Sequence, residues 1–301
     1  MFGLGKPKRV TEWEADGEIE QIYHQIKQSL RVSGVNLNFR TWAGYPKYFS
    51  DLWAQVRPMV ETRAFEEAAD DLRAQAVGVA QNLTPLNSAT RANPGESQSY
   101  QIKAALDLYH YVNPKLLLLT SAVKISLESN PTARTETGPS ALIERGVPDR
   151  MYPMEMIEEE PDDPRISKIF DSIKETLSLS AINSDYRTLA LWPDYLAVGW
   201  KELRPQTLEE GYRLSCRELR QTARELASSL PSFPALSVQK IEEFGESAEE
   251  ILEKTTQFEQ LLPSLIVNIA LFKLDWCSPS EAAKSPFPTS ARNQNEVGAP
   301  Q

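Results

Sequence analysis

The sequence predicts an all-α protein in which two pseudo-symmetric helical repeats pack around a central cleft. Residues 19–53 align on residues 166–200 without a gap, at an offset of 147, and thirteen of these thirty-five positions are identical. Average residue usage would give about 6% identity by chance. Apolar residues recur at helical spacing in both copies, and alternating runs long enough for strands are absent from the sequence. A repeat this long indicates a duplicated unit of domain size rather than a solenoid.

The repeat continues beyond the aligned segment, with scattered identities up to Leu83 and Leu230. After a two-residue slip, Tyr109 and Pro114 align with Phe258 and Pro263, and each proline precedes an apolar run. The identical pairs of the first segment are Ile19/Ile166, Ile22/Ile169, Ile26/Ile173, Lys27/Lys174, Leu30/Leu177, Ser33/Ser180, Asn36/Asn183, Arg40/Arg187, Thr41/Thr188, Ala43/Ala190, Pro46/Pro193, Tyr48/Tyr195 and Trp53/Trp200. The tryptophan pair and Trp192 are interpreted as core residues.

Each element follows from local signals. The first helix has one apolar face that includes Ile19, Ile22 and Ile26, and Asp16 precedes it as a cap. Its copy starts at Asp163-Pro164, an N-cap followed by proline at the first helical position. Further helices are predicted at about 39–60, 62–83, 98–111, 114–128, 186–203, 207–229, 237–244, 246–260 and 263–276. Each copy is therefore expected to hold about five helices.

The domain organisation follows from the repeat and from composition. Residues 17–130 form repeat one and residues 165–288 form repeat two. Between them, residues 131–164 are rich in proline and acidic residues and are expected to be a solvated linker. Residues 1–16 and 289–301 are expected to be disordered termini.

Composition narrows the function classes. A net charge of −10 argues against nucleic acid and anionic membranes as partners, although local donors still permit a small anionic substrate. Two cysteines are too few for a disulfide framework, and neither a C-x-x-C pair nor a zinc-binding spacing occurs in the sequence. The sequence shows no signal peptide and no apolar run of membrane-spanning length, which favours a cytoplasmic protein.

One asymmetry between the copies points to chemistry. Asp185 occupies the position that Asn38 holds in the first copy, just where a helix is predicted to begin. The simpler interpretation is that Ser184 or Asp185 caps this helix, because asparagine and aspartate both serve as caps. The alternative is that Asp185 points into the cleft as a general base, a role that asparagine cannot fill.

Other polar residues have competing interpretations. Asn113-Pro114 resembles a helix start, yet the second copy has Leu262 instead of a polar cap, which leaves the Asn113 amide free to hold a water or polarise a leaving group. Lys115 is expected to be a surface charge. Arg40 and Arg187 could bind a carboxylate, but their identity in both copies favours a structural role. His24 and His110 are interpreted as ordinary helix residues rather than a base or a metal pair.

The chain resembles the group I 2-haloacid dehalogenases, the DehI-like family, from about Gly17 to Pro288. The matching pieces occur in one order: Gly-Glu-Ile-Glu at 17–20, Glu-Ala-Ala-Asp-Asp-Leu-Arg at 67–73, Asn-Pro-Lys at 113–115, Ser-Asp at 184–185, and Ala-Lys-Ser-Pro-Phe-Pro at 283–288. The resemblance implies an all-α fold with two pseudo-symmetric halves. It also implies hydrolytic release of halide from short 2-haloalkanoic acids without cofactor or metal.

The resemblance also assigns roles. It implies that Asp185 activates a water that attacks the substrate Cα directly, with inversion and without a covalent intermediate. It places Asn113 as the partner of that water and Ser184 near the substrate carboxylate. Arg187 is also predicted to bind the substrate, because an arginine can donate two parallel hydrogen bonds to a carboxylate. The family is expected to form homodimers.

This chain departs from the family pattern in its expected pocket wall. Gly34 and Leu37 replace bulky aromatic residues, and Leu116 stands where a tyrosine is familiar. A changed wall leaves two alternatives open, namely a hydrolase or lyase of another small organic anion, and a non-catalytic helical binding protein.

Overall fold

The protein is described by a computed structural model that covers residues 9–129, 131–134, 142–153, 155–179 and 181–291. These residues contain helices and three isolated β-bridges but no strand. The helices are α1 (Gly17–Leu30), α2 (Leu37–Trp42), α3 (Pro46–Val60), α4 (Arg63–Gln81), α5 (Ser88–Ala92), α6 (Glu96–Ser129), α7 (Pro164–Leu177), α8 (Ser184–Leu189), α9 (Pro193–Thr207), α10 (Glu210–Ser229), α11 (Val238–Glu243), α12 (Ala248–Lys273) and α13 (Pro279–Ala282). The predicted all-α class is confirmed.

The two copies repeat one another helix by helix. Helices α1, α2 and α3 begin and end at the positions that correspond to the ends of α7, α8 and α9. The residues that close α1 and α7, Arg31 and Ser178, both adopt the left-handed conformation, with φ of 59° and 54°. Among the described residues, the first copy contains six helices (α1–α6) and the second contains seven (α7–α13), where about five were predicted for each. Short α2 and α8 are separate from α3 and α9, and the short helices α5 and α13 were not predicted.

A single core joins the copies. Helices α6 and α12 pack against each other at the centre, and each also packs on α4 and α10, so that helices of one copy lie between helices of the other. Trp53, Trp192 and Trp200 are buried, as predicted. The indole of Trp53 donates to Gln25 Oε1 (2.8 Å), and that of Trp200 donates to Ser172 Oγ (3.0 Å) at the equivalent position. The division into two units with a boundary at 131–164 stays a prediction.

The prediction that helices begin at Pro114 and Pro263 is wrong, because α6 and α12 run through these prolines. A proline inside a helix removes one backbone donor and leaves the carbonyl four residues earlier without its partner. For Pro114 that carbonyl belongs to His110, and the buried Arg73 Nε donates to it over 2.9 Å. A side chain of α4 thus replaces the lost hydrogen bond and keeps α6 continuous past Asn113.

Segments outside the helices are held against them. Ile143 N donates to Glu61 O (3.0 Å) and Ile157 N donates to Arg187 O (3.1 Å), so the described part of the predicted linker contacts both copies. Val10 N donates to Arg40 O (3.0 Å), which gives residues 9–16 a defined place where disorder was expected. Residues 1–8 and 292–301 lie outside the described residues.

The two predicted caps of the first helix pair differ. Asp163 accepts a hydrogen bond from Arg165 N (2.8 Å) and caps α7 as predicted. Asp16 stands at the N-cap of α1, but its side chain makes no capping hydrogen bond, so that prediction is wrong. Among the described residues, the helices are too short or too polar to span a membrane.

Candidate active site

A small cavity of about 40 Å³ lies between the copies, where α2 and α8 begin and α6 and α12 cross. Both copies line it with corresponding residues, so the cavity sits on the pseudo-symmetry axis. The first copy contributes Asn36, Leu37, Asn38, Tyr109, Asn113 and Leu116, and the second contributes Asn183, Ser184, Asp185, Phe258, Leu261, Leu262 and Leu265.

Equivalent positions of the two copies line the cavity with different chemical groups. Asn113 and Tyr109 on α6 face Leu262 and Phe258 on α12, so the polar groups of this helix pair belong to the first copy. On the short helices the difference is reversed, because the carboxylate of Asp185 belongs to the second copy. The reactive groups are therefore assembled from α6 of one copy and α8 of the other.

Asp185 does not cap its helix. The N-cap of α8 is Asn183, and Asp185 lies two positions further on, inside the first turn. Its side chain is buried, with 4% of the residue exposed, and Oδ1 accepts a hydrogen bond from Asn113 Nδ2 over 2.6 Å. Capping is thus the wrong interpretation, and Asn38 likewise lies inside α2, behind Asn36.

Burial changes the acidity of this carboxyl group. Desolvation raises the pKa of Asp185 to about 6, and the hydrogen bond from Asn113 opposes part of that rise. The group is consequently ionised at neutral pH but far more basic than an exposed aspartate. A carboxylate of this basicity suits proton abstraction near neutral pH.

Asn113 reaches the cavity from the interior of α6. Tyr109, Asn113 and Leu116 follow one another at intervals of four and three residues, which places them on one face of the helix. Lys115 points elsewhere and is fully buried against Glu66, so its prediction as a surface charge is wrong. Burial lowers the pKa of Lys115 to about 8, although the Glu66 carboxylate raises it.

Tyr109 is a cavity residue that the sequence pattern did not reveal. Its hydroxyl donates to Ser184 O (3.2 Å) and lies 2.7 Å from Thr188 Oγ1, so it contacts both ends of the first turn of α8. Burial, followed by the Asp185 carboxylate, raises the pKa of Tyr109. The available signal was its position one turn before Asn113, with phenylalanine at the equivalent place in the second copy.

The remaining predicted site residues divide into two groups. Ser184, Leu37 and Leu116 line the cavity. Gly34 and Arg187 are not among the lining residues that the structure describes. A Cβ at Gly34 would lie 3.5 Å from a carboxylate oxygen of Glu12. The Arg187 Nε donates to the backbone oxygen of Ile157 over 2.7 Å.

The histidines lie apart from the cavity. His24 is exposed on α1. His110 is buried, and its Nε2 lies 2.7 Å from Ala282 O. Burial, assisted by the charge of Arg73, lowers the pKa of His110 to about 3, so the ring stays neutral at physiological pH. Both fit the interpretation as ordinary helix residues.

Comparison with known proteins places this architecture in a family. The family described as halocarboxylic acid dehydrogenase DehI matches residues 33–186, a segment that contains both Asn113 and Asp185. The chain belongs to the DehI family. Among curated relatives of this DehI protein, an (R)-2-haloacid dehalogenase of Pseudomonas putida is 28% identical over 279 residues, which cover 88% of this chain and 91% of the relative.

Other relatives agree in length and fold. A configuration-inverting 2-haloacid dehalogenase of Alcaligenes xylosoxydans xylosoxydans is 27% identical over 93% of this chain and 97% of its own. A solved complex of a D-2-haloacid dehalogenase mutant with D-2-CPA is 26% identical, with a TM-score of 0.79 over 91% of this chain and 99% of its own. A complex of a D-2-haloacid dehalogenase with L-LA superimposes with a TM-score of 0.80 at 27% identity, over 89% and 95% of the chains.

Proposed function

We propose that this DehI protein is a configuration-inverting 2-haloacid dehalogenase that hydrolyses short 2-haloalkanoic acids. The observation that carries the proposal is the buried carboxylate of Asp185, held by the Asn113 amide in the cavity between the copies. The relatives are 2-haloacid dehalogenases that match over most of their length. The enzyme therefore acts on a carbon–halide bond.

In the proposed reaction, Asp185 accepts a proton from a water while the water oxygen attacks the substrate Cα. The carbon–halogen bond breaks on the opposite side, the halide leaves with the bonding electrons, and the product is the 2-hydroxy acid of inverted configuration. Asn113 binds one carboxylate oxygen and leaves the other for the water. Holding the water in line with the breaking bond removes much of the entropic barrier.

The wall of the cavity sets the substrate. Ser184, Leu37 and Leu116 are proposed to contact the haloacid, since they lie in the lining beside the catalytic pair. The apolar side chains of the second copy, including Leu262 and Leu265, form much of the opposite wall. This largely apolar space favours a short alkyl chain. The described lining does not include Gly34 or Arg187, so neither residue is proposed to contact the haloacid.

The experiment is halide release from purified protein, with D- and L-2-chloropropionate supplied separately and the configuration of the lactate determined. Asp185→Asn is expected to lower kcat by about 10²-fold or more, because an amide cannot take the proton. The matched control is Asp194→Asn, which removes the same charge from an exposed position in the first turn of α9. Unchanged turnover in Asp185→Asn would remove the base assignment, and no release by the folded wild type would favour a binding protein.

We further propose a homodimer in the cytoplasm. The dimer rests on the family resemblance, and the compartment rests on the low cysteine content of the sequence. Light scattering of the purified chain measures its oligomeric state. Fractionation of the native cell shows the compartment.

A further inference from the structure

Tyr109 joins the two helices that carry the proposed catalytic pair. It lies on α6, one turn before Asn113, and its hydroxyl contacts α8 on both sides of Asp185. The oxygen lies 3.2 Å from Ser184 O, just before Asp185, and 2.7 Å from Thr188 Oγ1, three residues after it. The six residues of α8 are too few for a stable isolated helix, so contacts with other elements have to hold it in place.

The hydroxyl protons around Tyr109 have a defined direction. Thr188 donates its one hydroxyl proton to Glu155 O over 3.1 Å. In the 2.7 Å contact between the two hydroxyls, Tyr109 is therefore the donor. The resulting hydroxyl relay runs from Tyr109 through Thr188 to Glu155 O, and hydrogen bonds in such a chain strengthen one another. The relay connects α6 to α8, and α8 to the segment that precedes α7.

The same segment binds the end of α8 a second time. Ile157 N donates to Arg187 O over 3.1 Å, and Arg187 Nε donates back to Ile157 O over 2.7 Å. Together with the bond from Thr188 to Glu155 O, these contacts fix residues 155–157 on the last turn of the helix. Helix α8 is thus held from α6 by a tyrosine and from the preceding segment by backbone groups.

The identical threonine of the first copy makes a different hydrogen bond. Thr41 corresponds to Thr188 at the offset of 147, and its hydroxyl donates to Leu37 O over 2.8 Å. Leu37 lies four residues earlier on the same helix, so this is an ordinary local bond of a helical threonine. The carbonyl at the equivalent place in α8 belongs to Ser184, and it accepts from Tyr109. In the second copy, a bond between two helices has replaced a bond within one helix.

This exchange follows the difference between a tyrosine and a phenylalanine. Phe258 corresponds to Tyr109, and it packs on Trp42 of α2 with ring centroids 6.2 Å apart. Because Phe258 has no hydroxyl, it cannot hold the helix of Asn38 by a hydrogen bond. The tyrosine contacts the helix that carries Asp185. The asymmetry of the relay therefore matches the asymmetry of the proposed chemistry.

We propose that Tyr109 and Thr188 are positioning residues for the base. Their relay holds the Asp185 turn of α8 at the distance from Asn113 that the reaction requires. The 2.6 Å hydrogen bond between Asn113 and Asp185 sets that distance, and a displacement of about 1 Å in a site of this kind can lower a rate about 10²-fold. The reaction rests on the proposed function, whereas the relay rests on the hydrogen bonds alone.

The first test compares the two equivalent threonines. Thr188→Val removes the hydroxyl and keeps the shape of the side chain, so we expect kcat for halide release to fall about three- to tenfold while KM changes little. Thr41→Val removes the identical hydroxyl from the first copy and should leave both constants unchanged. An unchanged kcat in Thr188→Val, or an equal fall in Thr41→Val, would overturn the proposal.

A double-mutant cycle tests whether the two hydroxyls act together. Tyr109→Phe should lower kcat about as much as Thr188→Val does. The variant that carries both changes should fall little further, because either change already breaks the relay. If the two effects multiplied, the hydroxyls would act independently and the relay would be refuted.

Thr188→Ser separates positioning from packing. It keeps the hydroxyl and deletes one buried methyl group, so it should lower the melting temperature and keep most of kcat. Thr188→Val should show the reverse pattern, with the larger loss in kcat. A loss of kcat in Thr188→Ser as large as that in Thr188→Val would make this residue a packing residue, against the proposal.

Hydrogen exchange measures the positioning without turnover, so it distinguishes this proposal from the proposed function. The amides of Arg187 and Ala190 close the turns of α8, and they should exchange faster in Thr188→Val but not in Thr41→Val. Faster exchange in a protein whose wild type releases no halide would keep the relay and remove the reaction. Halide release by the wild type, with unchanged exchange and kcat in Thr188→Val, would keep the enzyme and remove the relay.

Discussion

Asp185 is buried, yet it has to be ionised to act as a base. These two facts set the pH dependence of the proposed halide release. Its pKa of about 6 predicts that kcat/KM falls about tenfold per pH unit below pH 6, as the carboxylate becomes protonated. The measurement is halide release between pH 4.5 and 8 in a buffer series of constant ionic strength. A profile that stays flat down to pH 4.5 would contradict the raised pKa.

The same shift makes a prediction about stability. Because the folded pKa of Asp185 exceeds its unfolded value of about 3.9, the native state binds the extra proton between about pH 4 and 6. The contribution of this residue to the free energy of unfolding is therefore present at low pH and lost as pH rises through 6. Asp185→Asn should be more stable than wild type by up to about 3 kcal/mol at pH 7.5, and nearly equal to it at pH 4. Urea unfolding of both proteins at pH 7.5 and at pH 4 measures this difference in unfolding free energy. The same difference at both pH values would refute the prediction.

For individual residues, the sequence revealed the carboxylate that distinguishes the two copies but not the tertiary contacts that buried side chains make. The mismatch of Asn38 and Asp185 is visible in one chain, because duplication supplies an internal reference. Lys115 was misread because a lysine on a predicted helix surface is usually solvated, and nothing local indicates that Glu66 of α4 lies against it. Tertiary contacts of this kind are not encoded in spacing.

Helix α6 also depends on a tertiary contact that its own sequence does not reveal. Local rules end a helix before proline, yet Arg73 of α4 supplies a donor to the freed His110 carbonyl. Arg73→Met should cost about 1–3 kcal/mol by leaving that carbonyl unpaired. In a Pro114→Ala background the backbone donor returns, so Arg73→Met should cost less. A double-mutant cycle by urea unfolding measures the coupling, and strictly additive effects would contradict this account.

The Lys115–Glu66 pair fastens α6 to α4. Lys115→Met leaves the Glu66 carboxylate buried without its cation, and we expect a loss of about 3–5 kcal/mol in unfolding free energy. Adding Glu66→Gln should recover much of that loss, because no charge then remains. The control is Lys174→Met, whose ion pair with Asp171 is largely exposed and should contribute under about 1 kcal/mol. Equal losses in both lysine variants would show that the buried pair is not special.

For the whole molecule, duplication explains both the fold and the site. The repeated helix boundaries follow from repeated sequence, which is why the fold class was predictable. The position of the cavity was predictable only as a cleft between copies, since which side chains meet there depends on how α6 and α12 cross. The two copies have since diverged at four cavity pairs, which are Leu37/Ser184, Asn38/Asp185, Asn113/Leu262 and Tyr109/Phe258.

This divergence predicts the outcome of moving the site to the other half. In Asn38→Asp with Asp185→Asn, the carboxylate faces Leu262 rather than an amide, so we expect activity near the background of Asp185→Asn alone. Adding Leu262→Asn supplies the missing donor and should raise halide release by about tenfold or more, the scale of a charge-assisted hydrogen bond to the base. The control adds Leu261→Asn instead, next to the required position. Two outcomes would contradict this prediction. One is recovery of halide release with Leu261→Asn, and the other is no recovery with Leu262→Asn in a variant that melts cooperatively. Either would mean that the two copies are equivalent in backbone structure but not in the geometry that the reaction requires.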